Sequence, residues 1–191
     1  MRVLNWLICL LTMVALTLTA PQAAAGPYQP FEFLIGEWDI SQGNAPPAMV
    51  ARFKWGPNRS FIQYAASLVT PSGERPHFEG VFMWNGVSKN LDMLIMLDLT
   101  ERAAVLERGT VSVDPAGVVV RTIEAQYSEG AAPMGGTKAG PSGMTVNYRQ
   151  TYRKLGPDRI VTSAMRETAQ GWVPTFPGSD NLTMTRRPAV P

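Results

Sequence analysis

The sequence predicts an all-β protein that forms an antiparallel up-and-down β-barrel of about ten strands. Short stretches rich in Val, Ile, Phe, Tyr, Trp and Thr recur from Phe33 onward, about 8 to 14 residues apart, with Gly, Pro, Asn and Asp between them. Several stretches alternate apolar and polar residues, which is typical of strands with one buried face. The one helical candidate, residues 99–106, is too short to be stable alone and leads into a better strand pattern.

The predicted strands are residues 33–40, 48–55, 61–69, 77–84, 90–97, 104–113, 118–127, 145–153, 160–167 and 181–187. Turn residues separate them, among them Pro71-Ser72-Gly73, Asn85-Gly86 and Gly156-Pro157-Asp158. Consecutive strands joined by short turns pair in antiparallel, and closing the sheet on itself removes its exposed edges. A barrel of this size is either filled by side chains or left with room for one small ligand.

One connection is long. Residues 128–143 contain five glycines and two prolines, a composition typical of a disordered insertion. Loops of this length in compact domains are otherwise functional lids.

The first 25 residues have the pattern of a cleaved export signal. Arg2 precedes an apolar run from Val3 to Ala20, and Ala23-Ala24-Ala25 precedes Gly26 as a small-residue cleavage site. The alternative is a membrane anchor, which the Pro-Gln and alanine-rich end of the run disfavours. We therefore expect residues 26–191 to be a single exported domain, periplasmic or extracellular, with no stable membrane span after cleavage.

Composition excludes several functions. With 45% hydrophobic and 17% charged residues, the chain can build a core and is not a disordered tail. The net charge is +2, and no basic cluster is longer than Arg186-Arg187, so no nucleic-acid surface is predicted. Cys9, the only cysteine, lies in the leader, and His77 is the only histidine. The expected mature domain therefore has no thiol chemistry, and we predict no metal site and no cofactor.

His77 is the one candidate general base. It could act with Glu74 or Glu79 in a hydrolase or isomerase. We favour a surface histidine at the start of a strand, and we assign no catalytic residue.

Four charged residues lie in otherwise apolar strands: Glu107, Arg108, Arg121 and Glu124. We interpret them as the solvent face of the barrel. The alternative is a buried ion-pair network or a site for an acidic ligand head.

The start and end of the domain carry a family resemblance. Gly36-Glu37-Trp38 resembles the Gly-x-Trp first strand of the lipocalin and fatty-acid-binding-protein (calycin) barrels, and Arg186 or Arg187 lies in the last strand. The turn at residues 84–89 and the Tyr-Arg segment at 148–153 are similar to an uncharacterised lipocalin-like family of exported bacterial proteins. The resemblance implies that Gly36, Trp38 and Arg186 close the barrel, with the guanidinium packed across the indole.

Related barrels of the nitrobindin kind bind haem through a histidine near the C-terminus. This chain has no histidine after His77, which leaves Tyr148, Tyr152 or Met184 as conceivable ligands. Haem is therefore a secondary alternative.

The function we expect is binding of a small apolar or amphipathic molecule in the lumen. The residues predicted to contact it are large apolar or aromatic side chains on the inner face: Phe53, Trp55, Phe82, Trp84, Met93 and Tyr148. The alternatives are the barrel enzyme that uses His77, the haem barrel, and an interaction module with a filled interior and an exposed apolar patch.

Overall fold

Eleven strands form one antiparallel sheet in the computed structural model, which describes residues 26–97, 105–134 and 140–188. The strands are β1 (Gly36–Gln42), β2 (Met49–Trp55), β3 (Ile62–Thr70), β4 (Gly73–Asn85), β5 (Asn90–Leu97), β6 (Val105–Val113), β7 (Val119–Tyr127), β8 (Met144–Gly156), β9 (Arg159–Thr168), β10 (Gly171–Pro174) and β11 (Leu182–Arg186). Two short 3-10 helices cover Gln29–Leu34 and Pro57–Arg59. The predicted export signal, residues 1–25, lies outside the described residues.

The sheet closes into a barrel of ten strands. Each strand from β1 to β9 pairs with its sequence neighbour, and β11 pairs with both β9 and β1. In the described part of the chain β10 pairs with β9 alone, as one strand outside the ring. The predicted all-β, up-and-down antiparallel barrel is confirmed.

All ten predicted strands are present, with small differences at their ends. The first begins at Gly36 instead of residue 33, because a 3-10 helix that starts next to Pro30 ends at Leu34. The strand that the sequence did not predict, β10, has four residues and too little alternation to be recognised. The helical candidate at 99–106 lies mostly outside the described residues, and β6 begins at Val105. No helix in the described ranges is long and apolar enough to cross a membrane.

One end of the barrel is closed by the N-terminal 3-10 helix. Trp38 is fully buried on β1, and its indole N–H donates a 2.7 Å hydrogen bond to the Leu34 carbonyl. The Arg186 guanidinium lies 4.2 Å from the centre of the Trp38 ring and donates to the carbonyls of Ile35 (2.8 Å) and Phe33 (3.3 Å). These contacts connect the helix to the first and last strands of the ring.

An aromatic layer fills the middle of the barrel. Phe53 packs against Tyr64 and Tyr152, with ring centres 5.1 and 6.1 Å apart, and Tyr64 stacks on Phe82 at 5.7 Å. These rings come from β2, β3, β4 and β8, on opposite sides of the ring of strands. Since all four are buried, the layer separates the closed end from the other half of the lumen.

Candidate functional site

A cavity of about 340 Å³ lies on the other side of the aromatic layer. Tyr64 and Tyr152 face it from the layer, while the exposed residues Gln42, Ala48 and Phe176 stand at its rim. Its walls are mainly apolar, with Ile40, Ala51, Leu68, Phe78, Ile123 and Leu182 among the lining residues. The volume falls within the range of ligand pockets, roughly 300 to 1,000 Å³.

A buried ion pair lies at the inner end of this cavity. Glu107 on β6 is 2% exposed and Arg121 on β7 is 3% exposed, and the guanidinium donates a hydrogen bond to the carboxylate. Arg121 also donates to Gln150 Oε1 at 3.0 Å and to Met93 Sδ at 3.2 Å. Both charges are therefore paired inside the protein.

The strand register explains how Arg121 reaches Glu107. Arg121 lies opposite Val111 on β6, and Glu107 is four residues before Val111 on the same strand. Gly109 stands between them, opposite Met93 on β5, and its missing side chain leaves room in the lumen. Its φ of +156° also brings it so close to β7 that a Cβ would overlap the Thr122 carbonyl.

The ionisable groups around the pair have shifted pKa values. Burial works to lower the pKa of Arg121, but the Glu107 carboxylate raises it above the ordinary value. Burial raises the pKa of Glu107, and Arg121 opposes the rise through its charge and hydrogen bond. Burial also raises the pKa of Tyr64 and Tyr152. Both hydroxyls, like those of ordinary tyrosines, are protonated at neutral pH and can donate hydrogen bonds.

Thr162 supplies a polar group without a partner. Its side chain is on β9, lines the cavity next to Tyr152 in the register, and is 0% exposed. Among the described residues no group hydrogen-bonds to its Oγ1. Because an unsatisfied buried hydroxyl is costly, this oxygen is suited to a bound polar group.

Two tyrosines mark the side of the cavity below the long connection. The hydroxyls of Tyr127 and Tyr148 are 2.8 Å apart, and the Met134 N–H donates to Tyr127 at 3.4 Å. Met134 and Tyr148 both line the cavity. Ala131, in the same connection, is buried. Ala131 and Met134, in the segment predicted as a lid or disordered insertion, therefore pack on the barrel.

His77 lies in the cavity wall. It is the extra residue of a β-bulge in β4, since Phe78 pairs with Ala66 and Pro76 pairs with Ser67. The bulge lets His77 and Phe78 both line the cavity, and His77 is half-buried. The surface position favoured by the sequence is therefore wrong, because simple alternation does not anticipate a bulge.

The two carboxylates considered as partners of His77 lie elsewhere. Glu79 is exposed on the outer face of β4. Glu74 binds Arg52 and Arg187 on the outer surface, and their hydrogen bonds lower the pKa of its carboxyl. The carboxylate that lines the cavity with His77 is Glu107.

The six predicted ligand contacts lie at different depths of the lumen. Tyr148 lines the cavity. Phe53 and Phe82 are in the aromatic layer, and the Met93 Sδ accepts a hydrogen bond from Arg121. Trp55 and Trp84 are at the closed end, where Tyr28 packs edge-on against Trp55 at 5.6 Å and its hydroxyl accepts a hydrogen bond from the backbone N–H of Trp84 at 2.9 Å.

The sequence placed the charged strand residues together on the solvent face, and the structure divides them. Arg108 and Glu124 are exposed, whereas Glu107 and Arg121 are buried. The sequence signal for the inward position of Glu107 and Arg121 is the alternation of apolar and polar residues. Glu107 and Arg121 each occupy the apolar phase of a strand: Val105, Gly109 and Val111 on β6, and Val119, Ile123 and Ala125 on β7. A charge in that phase points inward.

In the described ranges no three His, Cys, Asp or Glu side chains are grouped so as to hold a metal ion. Of the conceivable haem ligands, Tyr148 and Tyr152 line the cavity. Met184 is buried on β11.

No family model matches the sequence, and no curated protein matches it. Among solved structures, the chain is similar to Rv2717c from M. tuberculosis, with 15% identity, coverage of 86% of this chain and 99% of that one, and a TM-score of 0.48. The function of the barrel is therefore inferred from its own residues.

Proposed function

We propose that this protein is an exported barrel that binds a small apolar or amphipathic molecule. The observation that carries the proposal is the apolar cavity of about 340 Å³, in a barrel whose other end is closed by Trp38 and Arg186. Concave, mainly apolar pockets with a few polar groups are the usual form of small-molecule sites. Export is proposed from the leader pattern of residues 1–25.

We also propose a calycin-like relationship for this barrel. The Gly36-x-Trp38 start of β1, the 3-10 helix before it and the stacking of Arg186 from the last strand support it. In this arrangement Gly36, Trp38 and Arg186 close the barrel and leave the cavity to bind the ligand.

The state of the carboxylates favours binding over catalysis. Glu107, which shares the cavity with His77, is held by Arg121, and Glu74 is held by Arg52 and Arg187. A carboxylate paired with an arginine is a poor partner for a histidine base, because the guanidinium already neutralises its charge. His77 is therefore assigned to the cavity wall.

The test is uptake of the neutral fluorophore N-phenyl-naphthylamine by the purified protein. Ala164→Phe adds a ring at a cavity-lining position on β9. Its control is Ala65→Phe, the same change on β3, opposite the exposed Glu79 on β4. We expect saturable uptake by the wild type and the control, and loss of about tenfold or more in affinity in Ala164→Phe. Absence of uptake by the folded wild type, or equal uptake by all three, would refute binding in this cavity.

A further inference from the structure

We infer that the bound molecule has a neutral polar end, a hydroxyl or carbonyl, that lies at the inner end of the cavity beside Thr162, Arg121 and Glu107. The inference rests on the proposed function and specifies the ligand class for the same cavity. The ligand is thus an apolar chain or ring system with one uncharged polar group, as in a long-chain alcohol or ketone.

The burial of the polar lining residues indicates where in the cavity the polar end of the ligand lies. Thr162, Arg121 and Glu107 are all at most 3% exposed, whereas the rim residues Gln42 and Phe176 are exposed. Between them the walls are mostly apolar. An amphipathic molecule therefore satisfies its polar group at the inner end and lays its apolar part along the walls.

The charges at the inner end exclude a charged head. Arg121 and Glu107 neutralise each other, so the site offers neither an unpaired cation for a carboxylate nor an unpaired anion for an ammonium. A carboxylate that approached Arg121 would also meet Glu107, and an ammonium that approached Glu107 would meet Arg121. Either would be a third buried charge without a partner.

The hydrogen-bonding groups fit a neutral head. Thr162 Oγ1 is both a donor and an acceptor, and among the described residues nothing occupies it. Tyr152, beside it in the register, is protonated at neutral pH like any tyrosine, and burial raises the pKa of its hydroxyl further. A ligand hydroxyl can donate and accept here, and a carbonyl can accept.

Arg149 is a second positively charged group that can bind an anion, but more weakly. Arg149 lines the cavity, but it is exposed and stacks on Trp172, with its guanidinium 4.5 Å from the ring centre. Ion pairs in such solvated positions contribute little. A head at the rim would also leave Thr162 unsatisfied.

The test compares three ligands with the same chain: decanol, decanoate and decylamine. Each is titrated against the protein loaded with N-phenyl-naphthylamine at neutral pH and below the micelle concentration. We expect decanol to displace the fluorophore at a concentration at least about tenfold lower than either charged ligand. Decanoate or decylamine binding as tightly as decanol would overturn the inference while leaving the proposed function intact.

Glu107→Gln tests whether the ion pair causes the preference for an uncharged head. It keeps the shape and an acceptor for Arg121 but leaves the guanidinium charge unbalanced. We expect the preference for decanol over decanoate to fall by about tenfold or to reverse. Glu124→Gln on the outer face of β7 removes the same charge at an exposed position, and should keep the wild-type preference.

The outcomes separate the two proposals. No displacement by any of the three ligands, together with no fluorophore uptake, rejects both. Fluorophore uptake without displacement by decanol rejects the inference alone. An unchanged preference in folded Glu107→Gln, checked by its circular dichroism and thermal unfolding, shows that the head lies away from the ion pair and also rejects the inference.

Discussion

The Arg186 guanidinium is centred 4.2 Å from the middle of the fully buried Trp38 indole, and it also donates hydrogen bonds to the Phe33 and Ile35 carbonyls. A single side chain from the last strand therefore holds the first strand and the helix that closes the barrel. This contact is cation–π in character and lies in a partly dry site, where such contacts are strongest.

Arg186→Ala should destabilise the protein by about 2 to 3 kcal/mol, through the lost stacking and the lost hydrogen bonds to the carbonyls of Ile35, Phe33 and Pro157. The control is Arg59→Ala. Arg59 also stacks on a tryptophan, Trp55, at 4.4 Å, but it is on the surface, where we expect a loss of about 0.5 kcal/mol. Urea unfolding measures both. Equal losses in the two variants would contradict a special role for Arg186.

Gly36→Ala should destabilise the barrel beyond the cost of its backbone conformation. Gly36 has a φ of +136°, and a Cβ there would overlap the Arg186 guanidinium. Gly73→Ala is the matched control, with a φ of +115° and no atom within 4 Å of the added Cβ. We expect Gly36→Ala to cost about 1 to 2 kcal/mol more than the control in free energy of unfolding. A difference near zero would show that Arg186 moves aside freely.

The tyrosines should resist ionisation at alkaline pH. Four of the five, Tyr64, Tyr127, Tyr148 and Tyr152, have pKa values raised by burial above the ordinary 10.0. Since the unfolded chain ionises first, stability should fall as the pH rises above about 10. Absorbance titration of the native protein should show these four ionising only with unfolding, seen in parallel by circular dichroism. Reversible ionisation of all five near pH 10 without unfolding would contradict their burial.

Glu74 should stabilise the protein at neutral pH and not in acid. Arg52 and Arg187 lower its pKa below the ordinary 4.5, so its contribution is present above that value and is lost as the pH falls through the folded-state pKa. Because the group is partly exposed, Glu74→Gln should cost about 1 kcal/mol or less at neutral pH and less near pH 3. Glu79→Gln, at an exposed position on the same strand, is the control. A Glu74→Gln loss equal at both pH values would contradict this account.

The fold was predictable from the sequence because strands carry their own period. Alternation and turn residues located all ten strands of the ring. The position of a residue along the barrel axis cannot be predicted from alternation. It depends on which end each strand enters and on the register with its neighbours, so Trp55 and Tyr148 share an inner face yet lie at opposite ends of the lumen.

The candidate site was only partly predictable. Glu107 and Arg121 stand in the apolar phase of their strands, so alternation places them inside, whereas the general rule that charges face solvent places them outside. The position of His77 could not be predicted from alternation alone. Its place in the cavity wall depends on a bulge, which is visible only once β3 and β4 are paired.

A crystal structure of the wild type grown with ω-bromodecanol tests the central claim most directly, because the bromine and the hydroxyl distinguish the two ends of the ligand. We predict the hydroxyl within hydrogen-bond distance of Thr162 or of the Arg121 and Glu107 pair, and the bromine toward Gln42 and Phe176 at the rim. An empty cavity, or a ligand bound on the outer surface, would contradict binding in the barrel. A hydroxyl at the rim with the bromine against Arg121 would contradict the inferred orientation.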